Sequence, residues 1–267
     1  MLQNVYFECL NEKADSDTKT IVLIHGFGGN YKVWKKQIPL LQEHCNVLAI
    51  DLPSHHETDN ENIKLSEMQV SLEAIAQKIV EVLDYYKIEK AVFMGVSLGT
   101  IFIKYLEAYY PQYVEKGILV GTVATVGLWL GTTVKVFSKI GDKVPFKFVY
   151  HILSFVLMPD KDSKKSREVF RKCAEVLNRK EFKLYMQIFE QGFRFSKQFM
   201  KTEHQENIFI SGTRDHCFLK GALAEAKGSH GNFITMNDCG HVCNIDRKEQ
   251  FNLLLLNILE NEKVQVA

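Results

Sequence analysis

Short runs of β-branched and apolar residues recur along this chain, each closed by glycine or a polar residue, and they alternate with longer segments of helical composition. Thr20–Ile24, Asn46–Ile50, Ala91–Met94, Ile118–Val120, Asn207–Ser211 and Asn232–Met236 are too short for amphipathic helices and have the length of strands. Strands that alternate with helices build an α/β protein around a mostly parallel central sheet flanked by helices, and its functional groups gather beyond the carboxyl ends of the strands. With 267 residues, 46% of them hydrophobic, the chain can bury one such core and still carry an insertion.

The residues closing the third run matter most. Gly95-Val96-Ser97-Leu98-Gly99 reads G-x-S-x-G, between the strand-like Ala91–Met94 and the helix-like Thr100–Tyr109. A serine hydroxyl is a weak nucleophile at neutral pH, so a hydrolase must present it in the open, beside a base and near donors for a developing oxyanion. A tight strand-to-helix turn presents Ser97 in that way. It tolerates the cramped backbone only if the flanking positions lack side chains, as Gly95 and Gly99 do.

Possible partners lie at other strand ends. Thr20–Ile24 runs into His25-Gly26-Phe27-Gly28-Gly29, whose glycines leave backbone amides uncovered, and Asn46–Ile50 runs into Asp51-Leu52-Pro53. Further on, Gly212-Thr213-Arg214-Asp215 and Cys239-Gly240-His241 follow two more strands. The chain order Ser97, Asp215, His241 is that of an acid orienting the histidine that deprotonates an elbow serine.

These motifs, in this order and over nearly the whole chain, resemble the α/β-hydrolase superfamily. The resemblance implies Ser97 as nucleophile, His241 as general base and then acid, Asp215 as orienting acid, and the backbone amides of Phe27 and Leu98 as an oxyanion hole. It implies no cofactor. A serine at the elbow, rather than an aspartate, argues against the epoxide hydrolases and dehalogenases of the superfamily. The chain departs from its relatives at Ser54-His55-His56, where many carry Gly-His-Gly, and at His216-Cys217-Phe218, where many carry a proline. If the second loop is rearranged, Asp238 or Asp246 becomes the alternative acid.

About eighty residues separate the strand at Ile118–Val120 from that at Asn207–Ser211, with helical signals such as Ser163 to Lys180. In the superfamily a helical cap covers the site from this place, which gives a core of residues 1–121 and 203–267 and a cap or lid of residues 122–202. From Thr132 to Lys201 there are 16 Lys and Arg against 7 Asp and Glu, a net of +9 that leaves −8 for the rest. Such lysines either solvate the outer faces of cap helices and help the cap sit on an acidic core, or steer an anionic substrate or carrier, such as a coenzyme A thioester, an acyl carrier protein or a membrane surface. The aromatic content of the segment, with Trp129 and with Phe27 from the core, predicts a pocket for a hydrophobic acyl or aromatic group.

Other readings are narrowed by composition. A net charge of +1 predicts no nucleic-acid partner. The six cysteines show no framework spacing and read as free thiols, and the alternation Cys239, His241, Cys243 is not a zinc spacing, so no metal is expected. The uncharged stretch Gly117 to Val134 contains four glycines and four threonines and reads as a central strand, Ile118–Val120, with Gly121 onward leaving the sheet, not as a transmembrane segment. No signal-peptide pattern opens the chain, which predicts a cytoplasmic protein. The leading expectation is an ester or thioester hydrolase working through an acyl-enzyme on a small-molecule acyl substrate. The same site would also suit an acyltransferase, a carbon–carbon bond hydrolase, or a ligand receptor with a silent triad.

Overall fold

The computed structural model describes residues 5–8, 18–55, 69, 71–124, 145–199 and 207–260. Seven strands form one sheet: β1 (Val5–Glu8), β2 (Thr20–Ile24), β3 (Asn46–Ile50), β4 (Ala91–Val96), β5 (Val114–Val120), β6 (Ile208–Gly212) and β7 (Asn232–Met236). Their spatial order is β1-β3-β2-β4-β5-β6-β7. β1 pairs antiparallel with β3 at one edge, and every other pairing is parallel. The four residues of β1 carry no pattern that marks them in the sequence. β4 and β5 extend beyond the runs that announce them, because their polar or glycine residues still pair in the ladder.

The helices of the core are α1 (Ile38–Gln42), α2 (Leu72–Tyr85), α3 (Leu98–Tyr109), α7 (Leu219–Gly228), α8 (Cys243–Asp246) and α9 (Lys248–Glu260). Between β5 and β6 the described residues form three more: α4 (Phe146–Leu157), α5 (Lys164–Cys173) and α6 (Arg179–Phe199). Alternate strand residues point to opposite faces, so each strand feeds two cores. Val22, Ile24, Phe93 and Leu119 pack with α2, α3 and the inserted helices. Ile21, Leu23, Met94 and Val120 pack with α1 and α9 on the other face. On α9, Phe251 and Leu255 are buried while Leu253 is 63% exposed, so the leucine run there is not all core. The helical signal from Ser163 to Lys180 is also divided: α5 ends at Cys173, Leu177 is extended, and α6 starts at Arg179.

Strand order reverses between β2 and β4, since the chain proceeds from β2 to β3 on one side and from β4 to β5 on the other. A crevice opens beyond the carboxyl ends at such a switch point. The loop Gly26–Gly29 leaves β2 there and Ser97 leaves β4 beside it.

Among the described residues, no helix is long and apolar enough to cross a membrane. Acids of both parts contribute to the polar contacts that join the inserted helices to the sheet domain. Asp162 pairs with Arg214 at 3.0 Å and Asp160 lies 3.5 Å from His216. Ser163 and Ser166 donate to Asp246. Lys161, Lys164, Lys165, Lys172, Lys180 and Lys183 are left exposed.

Candidate active site

Ser97 occupies the turn between β4 and α3 with φ 53° and ψ −117°, a backbone region that L-residues rarely adopt. Its amide is fixed by Val120 O at 2.9 Å, which extends the β4–β5 ladder to the turn itself. Glycines on both sides let the turn close. A Cβ on Gly99 would sit 2.3 Å from Ile24 O, and one on Gly95 would sit 2.8 Å from the Gly99 carbonyl carbon. The start of α3 therefore rests directly on the end of β2. A Cβ on Gly26 would lie 3.1 Å from Ser97 Cβ, so the loop after β2 touches the serine.

Asp215 and His241 meet from the ends of β6 and β7. Asp215 Oδ2 is 2.8 Å from His241 Nδ1, and both side chains are buried. The other carboxylate oxygen accepts the amides of Cys217 at 3.2 Å and Phe218 at 3.0 Å, so the loop that departs from the usual pattern still holds the acid. The Phe218 ring stacks obliquely on the imidazole, with centroids 4.9 Å apart. With Asp215 on Nδ1, that nitrogen carries the proton and Nε2 is left as an acceptor. Among the described residues His241 Nε2 has no hydrogen-bond partner. Gly121 makes room for this ring: its φ is +55°, and a Cβ there would meet His241 O at 2.6 Å and Nδ1 at 3.0 Å.

The two other carboxylates are otherwise engaged. Asp238 accepts from Arg214 at 2.6 Å on the surface, and Asp246 takes the hydroxyls of Ser163 and Ser166.

Ser97 and His241 line the same cleft. Phe27, Val33, Leu157, Phe170, Phe189 and Ile245 form much of its wall, and among the described lining residues there is no Asp, Glu, Lys or Arg. Phe27 is one of these lining residues, whereas Trp129 falls outside the described residues. Leu98 follows Ser97 in the first turn of α3, where helix N–H groups lack intrahelical partners, and Phe27 lies in the loop after β2 one residue beyond Gly26.

Two histidines missed as site residues lie behind that loop. His25 and His55 are fully buried with centroids 4.9 Å apart. Burial pushes His55 down to about 4 and holds His25 well below the usual imidazole range. Both are neutral at pH 7. The sequence offered only one signal for them, a histidine pair just beyond two neighbouring strand ends.

Among the described residues no group of three or more His, Cys, Asp or Glu side chains is gathered to hold a metal ion. Cys239 Sγ and Cys243 Sγ are instead 3.3 Å apart as buried thiols, and Cys217 Sγ donates to Val156 O.

Comparison with known proteins agrees with the topology. A family model described as the alpha/beta hydrolase fold matches residues 19–150. A hydrolase from Pseudomonas aeruginosa PA01 superposes with a TM-score of 0.74 at 18% identity, over 97% of this chain and 99% of that one. The chain belongs to the α/β-hydrolase superfamily. Another α/β-hydrolase structure, the 2-hydroxy-6-oxo-6-phenylhexa-2,4-dienoate hydrolase from Rhodococcus sp. strain RHA1, also gives 0.74 at 18% identity, over 93% of this chain and 92% of that one. In sequence, the pimeloyl-[acyl-carrier protein] methyl ester esterase of Vibrio cholerae is 27% identical over 151 residues. That match spans about half of each protein, 55% of this chain and 55% of the esterase.

Proposed function

We propose that this α/β-hydrolase is a serine hydrolase of carboxylic esters or thioesters, with Ser97 as nucleophile, His241 as base and Asp215 as orienting acid. One observation carries the reading: the imidazole bound through Nδ1 to Asp215 keeps Nε2 unpartnered among the described residues, in the cleft that Ser97 also lines. Ser97 Oγ attacks the carbonyl carbon while Nε2 takes its proton, and the imidazolium is stabilised by the Asp215 carboxylate. The Phe27 and Leu98 amides hold the tetrahedral oxyanion, each such donor contributing on the order of 10²-fold or more in rate. The imidazolium then protonates the leaving alcohol or thiol. Water, deprotonated by His241, releases the acid from the acyl-enzyme. The chemistry needs no cofactor.

The described residues of the cleft wall carry no charged side chain, which favours a neutral, apolar acyl group over a substrate whose reacting half carries a carboxylate. That places ester and thioester hydrolysis ahead of carbon–carbon bond cleavage on an anionic substrate. Helices α4 to α6 act as a cap. The exposed lysines give the cap a basic outer face that attracts an anionic carrier of the acyl group, and the likeness to an esterase of a carrier-bound acyl chain agrees.

A series of nitrophenyl esters and acyl thioesters of rising chain length, run beside Ser97→Ala, tests the assignment. Wild-type turnover with loss of roughly 10³-fold or more in the variant is expected. Equal rates in the two proteins would overturn it.

A further inference from the structure

The cap reaches more than the mouth of the cleft. The peptide group joining Phe27 to Gly28 is held at both ends. Its carbonyl accepts the Tyr150 hydroxyl from α4 at 3.3 Å, and its N–H donates to His55 Nε2 at 3.1 Å. The preceding peptide, which carries the Phe27 N–H, is held through its carbonyl by His25 Nδ1 at 2.7 Å and by the Gly29 amide at 2.9 Å. His25 Nε2 accepts the Leu52 amide at 2.9 Å. Two neutral imidazoles, each a donor at Nδ1 and an acceptor at Nε2, thus fix two successive peptides of the loop.

His55 is itself set by the cap. Its Nδ1 donates to Pro53 O at 2.9 Å, and the same carbonyl accepts the Tyr185 hydroxyl from α6 at 2.7 Å. Between Pro53 and His55, Ser54 stands at φ 65°, where a relative with glycine would carry no strain. Its hydroxyl donates to the buried Glu181 of α6 at 2.5 Å, which gives the strained turn a tie to the cap. Gly28 completes the fit. At φ +66° it lies so close to Tyr150 that a Cβ would fall 1.3 Å from the phenol oxygen.

We propose that the cap of this protein is a structural part of its oxyanion hole, with Tyr150, Glu181 and Tyr185 as positioning residues for the Phe27–Gly28 peptide: Tyr150 directly, Glu181 through Ser54, and Tyr185 through the Pro53 carbonyl and His55. The inference rests on the hydrolase reading for its kinetic consequence, but not for its geometry. A donor amide works only if it is aimed before charge develops, and small misplacement is costly in rate. Cutting a tie to the cap therefore lowers kcat and leaves the binding of the acyl group in place.

The test uses Tyr150→Phe, Glu181→Ala and Glu181→Gln in the full-length protein, with kcat and KM on a short nitrophenyl ester, melting temperature, and the amide NMR shifts of Phe27 and Gly28. Tyr150→Phe and Glu181→Ala are each expected to lower kcat about 5- to 10-fold with KM nearly constant, the effect of one hydrogen bond. Glu181→Gln keeps an acceptor for Ser54 and restores kcat to within about twofold of wild type. The Gly28 amide shift moves in the first two variants and returns in the third. Unchanged kcat and unmoved Phe27 and Gly28 shifts in Tyr150→Phe and Glu181→Ala would overturn the proposal. So would a loss of kcat in Glu181→Gln equal to that in Glu181→Ala. If the wild type turns over no ester, the hydrolase reading fails and the shifts alone decide the positioning.

Discussion

His241 Nδ1 and Asp215 Oδ2 are 2.8 Å apart although 26 residues and a whole helix–strand unit separate them in the chain. This pairing sets the tautomer of the imidazole, so replacing the acid by an amide allows the wrong tautomer without moving the ring. Asp215→Asn should lower kcat by about 10³- to 10⁴-fold. Asp238→Asn, which removes only a surface partner of Arg214, should stay within a few-fold of wild type. Steady-state kinetics of the two variants on one ester separates the acids. Comparable losses in both would remove Asp215 from the role proposed for it.

Gly121 borders the imidazole from behind. Gly121→Ala forces a side chain into a left-handed backbone and against the His241 ring. A loss of about 1–2 kcal/mol in stability is expected from the backbone alone, together with a drop in kcat as the ring is displaced. Urea denaturation and ester turnover measure the two effects, and an unchanged kcat would show that the ring has room to spare.

Glu107 on α3 is buried, and burial is the main reason its carboxyl is pushed up to about 8. The folded state then binds a proton that the unfolded state releases near 4.5, so this group's stabilising contribution is full below that pH and is lost as pH rises toward 8. Glu107→Gln should remove this decline and be more stable than wild type at the alkaline end. Chemical denaturation at a series of pH values across that window checks it, and parallel curves for the two proteins would refute it.

Phe170 of α5 lines the cleft and stacks on Tyr150 at 4.5 Å between centroids. Phe170→Ala should lengthen the apolar slot and move the preferred acyl chain to longer esters, with relative kcat/KM changing by about tenfold. Chain-length profiles of the two proteins provide the measurement. An unshifted optimum would place the acyl group elsewhere.

The parallel sheet was legible because its strands are buried on both faces and so read as unbroken apolar runs, and the Ser97 turn because its glycines are demanded by contact with β2. The edge strand Val5–Glu8 was not, since four residues leave no periodic pattern. The place of Asp215 and His241 followed from a general property of parallel sheets, that loops at the carboxyl ends converge. The ties of Tyr150, Glu181 and Tyr185 to the loop after β2 depend on how the inserted helices dock. No local pattern records a hydrogen bond spanning more than a hundred residues, such as Tyr150 to Phe27. The basic bias of the insertion was countable, but which of its charges face the sheet was not. Asp160, Asp162 and Glu181 do, while Glu168, Glu175 and Glu190 are exposed, as are its described lysines.

β2 and β4 are direct neighbours in the ladder, with Ile24 opposite Gly95. Ser97 and the Gly26–Gly29 loop therefore share one wall of the cleft with two strands from the middle of the sheet, where opening requires rupture of the ladder. Leu157, Phe170 and Phe189 form the opposite wall from helices that no ladder restrains. Substitutions that retailor what the cleft admits can accumulate on that second wall, while the first, which touches the serine, stays nearly invariant in shape.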